Sequence, residues 1–199
     1  MACGGGEPTG TLLWVAERGG RPDVWASAPD GSDARRLTDL PGASFPAGVD
    51  PLGTHALVVT AEDDARGHRE GMWLVPLDGG PAAPFGPRSE RIRNPVFTPD
   101  GATVLFEADL ESYRDLYAVP RAGGKIRRLT DAPHGSFEPA IGAQLAFGTS
   151  RDGNAEIYVA TPDGTGPVRL TADPADDVHP GWRPDGARLA WIRAGRVWT

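Results

Sequence analysis

The sequence predicts an all-β fold, a β-propeller of about five four-stranded blades with the first and last incomplete. Three observations predict it. An aromatic residue recurs at Trp25, Trp73, Tyr117, Tyr158 and Trp198, at steps of 48, 44, 41 and 40 residues by subtraction. Six residues after each of the first four aromatics stands a turn glycine: Gly31, Gly79, Gly123 and Gly164. Short apolar runs recur in step with both. A repeat of about 40–45 residues, one four-stranded sheet per repeat, marks a propeller.

Each blade can be read as strands a to d, from the axis outward. A proline opens strand a at Pro46, Pro95, Pro139 and Pro180. A turn follows at Pro99-Asp100-Gly101 and Pro184-Asp185-Gly186, with Pro51-Leu52-Gly53 a weaker copy. Strand b is an apolar run: Leu12-Leu13-Trp14, Leu57-Val58-Val59, Val104-Leu105-Phe106, Leu145-Ala146-Phe147 and Leu189-Ala190-Trp191. Such runs suit strands buried between blades. Strand c carries the recurring aromatic behind an aliphatic residue (Val24, Met72, Leu116, Ile157, Val197). The turns to strand d, such as Asp30-Gly31 and Asp163-Gly164, use glycine because it accepts positive φ without a Cβ clash. Strand d ends at Leu37-Thr38, Leu129-Thr130 and Leu170-Thr171, and the second repeat degenerates there to Phe85-Gly86.

The first repeat supplies b, c and d, and the last supplies a, b and c. The chain is therefore expected to be a truncated six-bladed propeller, or an open five-blade assembly whose exposed edges invite pairing with another chain. Residues 1–10 are expected to form a flexible tail and 11–199 the propeller.

Ser150-Arg151-Asp152-Gly153-Asn154-Ala155-Glu156-Ile157-Tyr158 and Pro180-Gly181-Trp182-Arg183-Pro184-Asp185-Gly186 resemble the TolB-type propeller repeat family. The resemblance runs from residue 11 to 199. It extends to the propeller that covers the active site in prolyl-oligopeptidase-like enzymes. It implies a propeller fold and a channel-mouth site for partners.

Net charge is -7, from 20 basic and 27 acidic residues, which argues against a nucleic-acid phosphate groove. No run of 18 apolar residues occurs, so no helical membrane span is expected. Cys3 is the only cysteine, so no disulfide can form within the chain. Ala2-Cys3-Gly4-Gly5-Gly6 is similar to the start of a mature bacterial lipoprotein, whose cysteine carries lipid and whose Gly-rich tail is a tether. That likeness implies membrane contact only through a lipid on Cys3. The alternative is an ordinary tail with a stray cysteine.

From the b residue to the c aromatic the spacing varies, whereas from the c aromatic to the d stop it is constant. The b–c loops share one face with the d–a connections, so a variable face on a rigid scaffold is expected to carry the site. Phe45, Asn94, Glu138 and His179 stand just before the strand-a prolines and are expected to ring the channel mouth as equivalents. Arg114 and Arg151 in nearby loops are expected either to clamp a ligand carboxylate or to pair with Asp115 and Glu156. Asp63 and Asp64 are expected in a long, wet polar loop.

No cofactor is expected. The four histidines, His55, His68, His134 and His179, are spread along the repeats, and no two sit at ligand spacing within a strand or helix. Asp173, Asp176 and Asp177 form an acidic loop near His179, and the resemblance leaves calcium as the one metal to consider. No Gly-x-Ser-x-Gly elbow or Cys-His pair supports catalysis. Two functions are expected. The first is a non-enzymatic TolB-like scaffold of the bacterial envelope, periplasmic or outer-membrane-anchored, holding a protein or peptide at the channel mouth. The alternative is the propeller domain of a prolyl-oligopeptidase-like serine peptidase whose catalytic domain is missing from this chain.

Overall fold

A computed structural model describes residues 10–65, 67–111 and 113–199. The N-terminal tail, with Cys3, lies outside the described residues. Every regular element among the described residues is a strand. Blade 1 comprises β1 (Leu12–Glu17), β2 (Pro22–Ser27) and β3 (Arg35–Arg36). Blade 2 comprises β4 (Ala43–Val49), β5 (His55–Asp64), β6 (Gly67–Pro76) and β7 (Ala83–Ser89). Blade 3 comprises β8 (Ile92–Phe97), β9 (Thr103–Ala108), β10 (Asp115–Pro120) and β11 (Arg127–Arg128). Blade 4 comprises β12 (Ser136–Ile141), β13 (Leu145–Thr149), β14 (Glu156–Ala160) and β15 (Val168–Arg169). Blade 5 comprises β16 (Asp177–Trp182), β17 (Leu189–Arg193) and β18 (Arg196–Trp198). Each blade is an antiparallel meander in chain order, so the expected five sheets form, and among the described residues the first has no strand a and the last no strand d.

The recurring aromatics are cross-strand partners of the strand-b residue beside them. Trp14 faces Trp25, Val58 faces Trp73, Phe106 faces Tyr117, Phe147 faces Tyr158, and Trp191 faces Trp198. Directly opposed aromatic and branched side chains are the unit of sheet stabilisation. Because alternate strand residues point to opposite faces, each inner blade feeds two cores. Phe106 and Tyr117 pack toward blade 2 with Leu57, Met72 and Phe97. Leu105 and Leu116 pack toward blade 4 with Leu145 and Phe147. Val24, Val58 and Val75 join blades 1 and 2, and Ala146, Ile157 and Leu189 join blades 4 and 5.

The Leu-Thr stop has a specific job. Thr38, Thr130 and Thr171 accept the strand-c amides of Val24, Leu116 and Ile157 at 2.9, 3.0 and 2.9 Å. Each hydroxyl donates to a buried carboxylate at the start of strand c: Asp23, Asp115 or Glu156. The same carboxylates pair with Arg36, Arg128 and Arg169 of strand d. A two-residue outer strand is thereby clamped to its sheet. In blade 2 the acid position is Gly71 and the Thr position is Gly86, so both halves of the clamp are lost together. There the outer strand is seven residues long, with Phe85 buried.

The Asp63–Asp64 segment departs from the wet loop expected. β5 and β6 continue in register as an extended hairpin, with Glu62 opposite Arg69 and Asp63 opposite His68. Four further ladder pairs from Ala61–Glu70 outward satisfy its backbone, which a loop would leave to water.

Candidate functional site

In each antiparallel meander the b–c loop and the d–a connection fall at the same end of the sheet, where strand a begins. Asn94, Glu138 and His179 adopt φ of +50°, +55° and +53°. Each is part of a β-bulge, where the register slips between Arg93 and Val96, Phe137 and Ala140, and Val178 and Gly181. A bulge re-aims a side chain that the ladder does not hold. Phe45 is not their equivalent. It pairs in regular register with Val59, and the blade 2 bulge falls after Pro46 instead. An apolar cross-strand partner keeps Phe45 in the ladder, and Ala47 becomes the extra residue.

Glu107 joins most of the expected site. It is buried on β9, with 1% of its surface exposed. Its Oε1 accepts Arg114 Nε at 2.7 Å, and its Oε2 accepts Asn94 Nδ2 at 3.3 Å and the Glu138 amide at 3.2 Å. Glu138 continues the chain of contacts. Its Oε2 accepts the His179 amide at 2.6 Å, and its Oε1 lies 3.0 Å from His179 Nδ1. A carboxylate from one blade thus caps the bulge of the next. Glu70 also links blades 2 and 3, accepting the Ile92 amide just before the bulge at 2.6 Å and pairing with Arg93. Burial pushes the Glu70 carboxyl up, but the bonds from Arg93, Ile92 and His68 outweigh it and hold it below the ordinary carboxylate range.

The two arginines find other partners than Asp115 and Glu156. Arg114 bonds Glu107 and lies 4.3 Å over the Phe137 ring. Asp115 is held by Arg128 and Thr130, and Glu156 by Arg169 and Thr171. Arg151 sits 4.6 Å over the Tyr158 ring, as Arg18 and Arg193 sit over Trp25 and Trp198. It packs on its own blade rather than joining the Glu107 network.

Two clefts open on this face. One, of about 510 Å³, lies between blades 3, 4 and 5 and is lined by Tyr113, Arg114, His134, Phe137, Glu138 and Asp176. Phe137 forms its floor because Gly148 leaves room: a Cβ there would come within 2.4 Å of the Phe137 ring. The other, of about 440 Å³, lies between blades 2 and 3 and is lined by Phe45, Val59, Glu70, Ile92, Arg93 and Asn94. The acidic loop is committed elsewhere. Asp173 and Asp177 pair with Arg193, and Asp176 accepts the Ala155 amide at 2.9 Å. Among the described residues no three metal-ligating side chains converge.

No family model matches the chain. Tricorn protease homolog 1 of Streptomyces coelicolor is 28% identical over 210 residues, covering 96% of this chain and 19% of that protein. The Tol-Pal system protein TolB of Anaeromyxobacter dehalogenans is 32% identical over 109 residues, covering 53% of this chain and 25% of that protein. The crystal structure of TolB from Acinetobacter baumannii superposes with a TM-score of 0.74 at 17% identity, covering 96% of this chain and 49% of that one. The chain thus resembles TolB proteins in sequence along part of its length, and its fold is that of a TolB propeller. The TolB-like repeats span a quarter or less of the two curated relatives named, and about half of the superposed TolB chain.

Within this TolB-like propeller, Glu107 and Glu70 were not singled out by sequence. A signal for Glu107 existed: the corresponding strand-b positions hold Val15, Val59, Gly148 and Ile192.

Proposed function

We propose that this chain is a non-enzymatic TolB-like scaffold of the bacterial cell envelope that binds a protein or peptide segment at the channel mouth. The observation that carries the reading is the polar network on one face. Glu107 links Asn94, Arg114 and Glu138, and Glu138 links His179, beside a cleft large enough for several side chains. Membrane contact in this reading comes only through a lipid on Cys3, with residues 1–10 as the tether.

Replacing Glu138 and His179 together with alanine removes two rim side chains that stand at bulges rather than in regular ladder pairs. Cross-linked capture of an envelope partner is expected to fall about tenfold or more against the parent chain, as for a loss of interface hot spots. Undiminished capture would remove the mouth from the reading.

A second reading has its own support. The alignment to a tricorn protease homologue runs along nearly the whole chain. In that reading the propeller serves a peptidase and admits extended substrates to a separate catalytic domain. Sequencing the full reading frame separates the two: a hydrolase segment with a Gly-x-Ser-x-Gly elbow in frame selects the peptidase.

A further inference from the structure

The arm made by the outer halves of β5 and β6 carries a histidine between two carboxylates. His68 Nδ1 lies 3.0 Å from Asp63 Oδ1, on the residue directly across the ladder. His68 Nε2 lies 3.2 Å from Glu70 Oε1. Ionised carboxylates only accept hydrogen bonds, and neutral imidazole has a single N–H. Both contacts are therefore satisfied together only by the imidazolium.

The two carboxylates differ in what they hold. Asp63 is 86% exposed near the end of the arm. Glu70 is 5% exposed, and its other oxygen is bound by the Ile92 amide at 2.6 Å and by Arg93, both on β8 of the next blade. His68 thus ties the outer half of β5 to an anchor shared with blade 3. The neighbouring charges are engaged around this tie: Arg69 with Glu90 and with the His68 carbonyl, and Glu62 with Arg88 of β7.

We propose that His68 is a proton-operated clasp, which pins the β5–β6 arm beside the cleft between blades 2 and 3 and releases the Asp63 strand when the imidazole loses its proton. Ala61 and Glu70, at the root of the arm, line that cleft, so the clasp governs the shape of its wall. The hydrogen bond to Asp63 and then that to Glu70 hold the imidazole above its ordinary value. A raised histidine contributes fully below its ordinary value, and the contribution is lost as pH rises through the raised one. Glu70 sets the other limit. Burial pushes it up, but Arg93, Ile92 and His68 win, so its contribution disappears only as pH falls through a lowered value. The clasp is closed between these limits.

The test uses the full chain and its Asp63→Asn variant, which changes an exposed side chain. Histidine side-chain NMR is followed across the titration, together with amide exchange of the arm normalised to intrinsic rates. In the parent, arm amides are expected to exchange severalfold faster above the His68 midpoint than below it. In the variant, the midpoint falls and the step disappears. An identical midpoint in both proteins, or normalised exchange that stays flat through it, overturns the clasp. Neither outcome depends on partner binding at the mouth.

Discussion

A carboxylate as buried as Glu107 needs other groups to replace the water it has lost. Arg114, the Asn94 amide and the Glu138 backbone do so, from three separate segments. Glu107→Leu leaves Arg114 without its carboxylate and the Glu138 amide without an acceptor, and is expected to cost about 3 kcal/mol. Glu107→Gln keeps an acceptor for that amide and should cost less. Urea denaturation of the two variants checks the order, and equal midpoints would count against Glu107 as the hub. An acid where other repeats hold Val, Gly or Ile was visible in the sequence. Its partners were not, because they come from a bulge, a loop and the next blade. Arg114 also shows why adjacency misleads. Neighbouring residues leaving a loop into a strand point to opposite sides, so Asp115 turns to Arg128 while Arg114 turns to Glu107.

At the scale of one strand, a two-residue outer edge has too few ladder bonds to hold by itself. The threonine clamp supplies the rest. Thr130→Val keeps the shape but strips the Leu116 amide and Asp115 of a partner, at an expected cost of about 1–3 kcal/mol. The equivalent position in blade 2 is Gly86, and Gly71 offers no carboxylate there, so Gly86→Thr builds no clamp and is expected only to destabilise, since its Cβ would come within 2.7 Å of the Met72 side chain. Thermal denaturation of both variants measures the contrast. Strands and turns were legible because period-two apolar runs and glycine turns are local signals. The displaced bulge of blade 2 and its long arm were not. A one-residue shift leaves Phe45-Pro46 looking like Asn94-Pro95 in sequence, while the ladder distinguishes them.

Across the whole molecule, stability follows from stacking. Blades touch mainly their neighbours, so each inner sheet is held by two apolar interfaces and each outer sheet by one. Phe106, Tyr117, Leu105, Leu116, Phe147 and Ile157 are almost fully buried, whereas β18 is exposed along its length. Amide exchange is therefore expected to be slowest in β9, β10, β13 and β14 and fastest in β1 and β18. Mass-spectrometric exchange at the peptide level reads this gradient, and uniform protection would argue for one indivisible core. The family pattern made the radial arrangement legible, since only a repeating unit needs the same buried positions every forty-odd residues.

The bulges carry an evolutionary consequence. Asn94, Glu138 and His179 stand outside the regular ladder pairs, so exchanging them rewrites the vocabulary of this face while the ladder keeps its grammar. Their left-handed backbone limits the alphabet to glycine and to polar, unbranched side chains such as asparagine, aspartate and histidine. New specificities in this lineage would then be spelled with amides, acids and imidazoles rather than with valine or isoleucine.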